Sequence, residues 1–109
     1  MMNQSTFDDA RIAAMNTRSQ ALAAAMEQHR QAMEQVRLEY EEHLAAAEAE
    51  HEATKSDERG LETGAKLHAI RAAGPDFEPV RHQLSAEIGA ADDAFNATMA
   101  RLGKELAAA

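Results

Sequence analysis

The chain has 109 residues, a net charge of -8 and no cysteine; 45% of it is hydrophobic but only 4% is aromatic. That length suits one domain, and without cysteine there is no disulfide framework, no thiolate catalysis and no zinc–sulfur site. The acidity, with a sequence pI near 5.0, argues against binding nucleic acid through its phosphates and leaves a basic protein partner open.

Alanine supplies much of the apolar content, and it adds helix propensity without adding much buried area. A helical pair built this way has a thin core. Self-association, or a partner that supplies apolar surface, is therefore expected. Residues 1–6 lack the basic and apolar parts of a signal peptide, and no run of 18 apolar residues occurs. A soluble, cytoplasmic protein is the expectation.

Residues 6–55 are free of proline and glycine and rich in strong helix formers, so they predict one helix roughly 70 Å long. Thr6 with Asp9, or Ser5 with Asp8, offers an acidic capping box at its start. Read in sevens, the stretch shows a coiled-coil seam. One register runs through Ile12, Ser19, Met26, Met33, Tyr40 and Ala47, and the other through Met15, Leu22, His29, Val36 and His43. Ser56, Asp57 and Gly60 then form a turn cluster, and Ser56 or Asp57 can cap a second helix over about 57–73. Gly60 and Gly64, four apart, either let two backbones approach or mark a fraying start.

The strongest punctuation is Gly74-Pro75-Asp76-Phe77-Glu78-Pro79. Gly74 suits the end of a helix and Pro75 stops it, while Pro79 can sit in the first turn of a third helix over about 79–107. That third helix carries Phe77, Val80, Leu84, Ile88, Ala91, Phe95, Met99, Leu102 and Leu106 at steps of 3, 4 and 4. Such spacing repeats every eleven residues and keeps the stripe nearly straight on the helix.

The outgoing and returning lengths match. Folded at 56–60, the two arms bring Met15 to Leu102, Leu22 to Phe95 and Met26 to Ile88 or Ala91. Further along they bring Met33 to Leu84, Val36 to Val80 and Tyr40 to Phe77. The acidic run of Glu39, Glu41, Glu42, Glu48, Glu50 and Glu52 contains no Lys or Arg between its ends, and Lys66, His68 and Arg71 would lie opposite. The fold expected is all-α, a single domain: a long antiparallel helical hairpin or coiled coil with its return arm kinked at Gly74–Pro79.

For chemistry the sequence offers little. Glu39 with His43, and Glu48 with His51, have spacings used by metal-binding helical bundles, but a di-iron site needs a second such motif and two more carboxylates. His68 and His82 have no glutamate three residues before them. No metal and no cofactor are expected. The serines have no glycine-rich elbow around them. Met15, Met26, Met33 and Met99 fall on the stripes, as core residues would.

The function expected is non-enzymatic: a scaffold, adaptor or assembly component that works through coiled-coil surfaces, as a homo-oligomer or with a protein partner. Two other readings stay open. One is an acidic inhibitor or nucleic-acid mimic that fills a basic cleft; the other is a structural subunit of a virion or secretion apparatus.

Overall fold

A computed structural model describes residues 2–109. They form an all-α helical hairpin of α1 (Gln4–Thr54), α2 (Gly60–Ala73) and α3 (Glu78–Ala108), with α2 and α3 making a bent return arm. No strand occurs among the described residues.

Helix α1 starts two residues before the expected one, because the cap is neither Thr6 nor Ser5. Asn3 does that work: its side-chain oxygen accepts the Thr6 amide at 2.8 Å. This supplies an acceptor to one of the amides that a helix start leaves unpaired. At the other end Asp57 folds the turn rather than capping a helix. Its carboxylate accepts the Arg59 amide at 2.7 Å, and α2 begins only at Gly60, with no side-chain cap. Gly60 is needed there. A Cβ on it would stand 2.7 Å from the Lys55 carbonyl oxygen, nearer than real Cβ contacts allow.

Helix α2 ends as its sequence suggests. The Gly74 amide donates to the Ile70 carbonyl at 3.1 Å, and Gly74 has φ +65°, the one positive φ among the described residues. That conformation favours glycine. Asp76 then accepts the Glu78 amide at 3.1 Å, which starts α3, with Pro79 in a first turn that needs no N–H from it.

The chain's contacts group into two units. One gathers the described residues up to His29 with Arg81–Ala109; the other is Arg30–Val80. In the first unit Ala25 and Leu102 are buried, and in the second Ala47, Leu67, Thr54 and Thr63. Among the described residues no large side chain is fully buried. The core is thin, as the alanine content implies.

The expected stripe on α3 is the covered one: Leu84, Ile88, Ala91, Phe95, Met99 and Leu106 are partly covered, and Leu102 is buried. On α1 the heptad seam is covered only in part: Leu22, His29, Met33, Val36, Tyr40 and Ala47 are covered, and the others are not. Ile12, Met15 and Met26 are 51%, 50% and 54% exposed, and Ser19 and His43 are exposed as well. From Leu22 on, and apart from Ala32, the covered positions are Leu22, Ala25, His29, Met33, Val36, Tyr40, Leu44, Ala47, His51 and Thr54. They step by 3, 4 and 4, as α3 does. The cause is geometric. A seven-residue repeat drifts roughly 20° per heptad on an unsupercoiled helix, or about 80° between Tyr40 and Ile12. Residues that share a heptad position with Tyr40 have therefore rotated outward by the start of α1.

The equal-arm register also shifts. It placed Phe77 opposite Tyr40, and its pairs Met15–Leu102 and Leu22–Phe95 put Arg18 opposite residues 98–99. In the first unit Arg18 instead bonds Asp92 at 2.8 Å, and in the second the Tyr40 hydroxyl donates to the Ile70 carbonyl at 3.2 Å. Leu102 shares a groove with Ala10, Ala13 and Ala14, while its expected partner Met15 is half exposed.

Candidate functional site

Helix α1 between Ile12 and His29 presents two different faces. On the covered face lie Leu22, Ala25 and His29, and Ala25 shares a groove with Glu87, Ala90 and Ala91 of α3. Arg18 adds a bond to Asp92, and its guanidinium carbon sits 5.4 Å from the Phe95 ring centre, a cation–π distance. Beside this contact runs an open groove of about 380 Å³ lined chiefly by alanines, among them Ala13, Ala21, Ala91 and Ala94. The second face carries Ile12, Met15 and Met26, all about half exposed. It is the apolar surface that this part of α1 leaves open.

His29 has an unusual position. Its Nδ1 is buried and has no hydrogen-bond partner. An unpaired buried nitrogen is costly, and replacing it with an apolar group of similar size removes the cost. His29→Leu should therefore stabilise the chain by about 1 kcal/mol at neutral pH, read as a higher unfolding midpoint. A lower midpoint would mean that the imidazole makes a bond that leucine loses.

The acidic surface of α1 is not a bare row of carboxylates. Glu41 and Glu34 both take the Arg37 guanidinium; hydrogen bonding from Arg37 holds Glu34 below its usual carboxylate range and pushes Arg37 up. Glu48 pairs with Arg71 at 3.3 Å and Glu50 with Lys66 at 3.5 Å, as the charge pattern anticipates. Glu52 pairs with Lys55 at 2.9 Å, and the Lys55 hydrogen bond, with its positive charge, lowers the Glu52 carboxyl. Glu39 accepts from Gln35 at 2.9 Å. Glu42 and His68 are exposed.

The histidine–glutamate pairs do not converge. Glu48 turns to Arg71 while the His51 ring turns inward, where its Nδ1 lies 3.1 Å from the Thr63 hydroxyl. His43 is exposed, and Glu39 bonds Gln35. Among the described residues no group of three His, Cys, Asp or Glu side chains could hold a metal ion. Ser5, Ser19, Ser56 and Ser85 are all exposed.

What the sequence does not reveal is a polar cluster that closes the turn. Thr63 sits 2.7 Å from Thr54, oxygen to oxygen, and Thr54 donates to the Glu50 carbonyl at 2.8 Å. Both threonines are buried, at 3% and 5% exposure. Gly64 makes room for the ring: a Cβ there would stand 3.0 Å from His51 Cε1. The glycine spacing therefore serves close approach, here of a backbone to an imidazole. No helix among the described residues is long and apolar enough to cross a membrane.

No protein-family model, curated protein or solved structure matches this chain.

Proposed function

We propose that the protein is a non-enzymatic helical interaction module, a scaffold, adaptor or assembly component whose helix surfaces do the work. One observation carries the reading. Ile12, Met15, Met26, Leu38 and Leu61 stay exposed, at 42–91%, while the buried apolar core amounts to Ala25, Ala47, Leu67 and Leu102. Three of the exposed side chains fall on one face of α1, and contiguous apolar surface of that kind marks a contact site more often than a scattered residue does.

The inhibitor reading is weaker. A phosphate mimic needs unpaired carboxylates on one face, yet Glu41, Glu48, Glu50 and Glu52 each share a cation of their own chain.

The test is recovery of bound protein. The parent chain, used as bait in an extract of its native source, should retain a protein in stoichiometric amount, this chain included. The variant Ile12→Asp with Met26→Asp should lose most of it while keeping its helix content. A parent that recovers neither another protein nor itself would sink the proposal.

A further inference from the structure

We infer that the open face of α1 from Ile12 to His29 is a self-association seam, and that its occupant is the same face of a second copy running antiparallel. This rests on the interaction-module reading and names its partner.

The spacing comes first. Ile12, Met15, Ser19, Leu22, Met26 and His29 step by 3 and 4 alternately, the pattern of a coiled-coil seam. Inside the chain α1 follows a different rhythm from Leu22 on, with its covered positions repeating every eleven residues, and Ile12, Met15, Ser19 and Met26 are left exposed. Leu22 and His29 lie where the two faces overlap, and both are only partly covered. No charged residue interrupts the six positions.

Area leaves room for a partner. It exposes 7704 Å², whereas a globular monomer of 11.8 kDa exposes about 5,900 Å². The surplus of roughly 1,800 Å² is about twice what each partner gives up in a standard interface.

Symmetry and charge select the occupant. In an antiparallel pair with its twofold axis between Ser19 and Leu22, Met15 faces Met26 of the second copy, Ser19 faces Leu22, and Ile12 faces His29. The small Ser19 lies opposite the larger Leu22, so the central layers fit without a gap or a clash. Along one flank Asp9 falls opposite Arg30 of the second copy, and the pair occurs twice. On the other flank Arg11 and Arg18 fall opposite Ala32 and Ala25. No like charges meet between residues 9 and 30. A parallel pair would lose the Asp9–Arg30 contacts and set Ser19 against Ser19.

The experiment measures mass in solution for the parent, Met15→Glu, Met26→Lys and an equimolar mixture of the two variants. The parent should show twice 11.8 kDa, with a melting temperature that rises with concentration. Each variant should weaken the dimer on the order of a hundredfold and run at the monomer mass. Helix content, followed by circular dichroism, should stay at the parent's level, because both side chains are half exposed in the single chain. The mixture should regain the dimer mass as a one-to-one heterodimer. There the introduced carboxylate and ammonium meet in one layer, and the unchanged Met26 and Met15 meet in the other. A mixture that stays monomeric, or variants that keep the parent's mass, would overturn the antiparallel seam. A parent that is monomeric throughout but retains a different protein on this face would overturn self-association and leave the interaction-module reading standing.

Discussion

Gly60→Ala should destabilise the chain by roughly 2–3 kcal/mol, the cost of overpacking a tight site. The added methyl would stand 2.7 Å from the Lys55 carbonyl oxygen, and that carbon's other neighbours are backbone as well. Backbone cannot swing aside as the end of a lysine can, so the turn over 55–59 must open. The same substitution at Gly103 has the opposite sign. Nothing lies within 4 Å of a Cβ there, and the position is inside α3. Alanine should therefore stabilise by about 0.5–1 kcal/mol through helix propensity. Denaturant melts of the two variants beside the parent give the answer. Equal stability of Gly60→Ala and parent would mean that the turn is not held as tightly as the Lys55 contact implies.

Thr63→Val should cost on the order of 2 kcal/mol, although it preserves shape and branching. Its hydroxyl lies within hydrogen-bond distance of four groups: the Thr54 hydroxyl, His51 Nδ1 and the Arg59 and Gly60 carbonyls. A hydroxyl has one hydrogen to give, and Thr54 gives its own to the Glu50 carbonyl at 2.8 Å. The 2.7 Å contact between the threonines, shorter than those to the Arg59 and Gly60 carbonyls at 3.1 and 3.3 Å, then takes the Thr63 hydrogen, and Thr63 accepts from His51 at 3.1 Å. The chain of bonds runs in one direction, from His51 Nδ1–H through Thr63 and Thr54 to the Glu50 carbonyl. Nitrogen chemical shifts should accordingly show His51 with its proton on Nδ1 at neutral pH. In Thr63→Val that preference should disappear as stability falls, whereas Thr63→Ser should retain the tautomer. A parent ring protonated on Nε2 alone would reverse the direction and undo the argument.

The two arms differed in how much of them could be read from sequence. On α3 the interior stripe is spelled in large residues, from Phe77 to Leu106, and a period of eleven is visible at once. On α1 alanine stands on every side, and three large residues of its first half, Ile12, Met15 and Met26, are about half exposed. A heptad drawn through them reaches covered positions at Leu22, His29, Met33, Val36, Tyr40 and Ala47 but exposed ones at Ile12, Met15 and Met26. The punctuation at Gly74 and Pro75 was legible because each has a backbone consequence of its own. The turn cluster was not. Thr54 and Thr63 look like ordinary polar residues, and only the folded turn brings them to His51. Asn3 was missed as a cap for a simpler reason, since three candidate oxygens lie within four residues and only one helix start can form.

The groove between α1 and α3 sets methyl against methyl, at Ala13, Ala21, Ala91 and Ala94. Shift α3 by one helical turn, roughly 5.4 Å, and the places of Ala91 and Ala94 would go to Phe95 and Thr98, or to Glu87 and Ala90. The alanines let the two helices come close, while their larger neighbours decide where along each other they belong. Arg18 adds to that memory in the first unit: its reach to Asp92 and its place over Phe95 suit one setting. The register there is kept by a few large or charged side chains, and changing those few would move it.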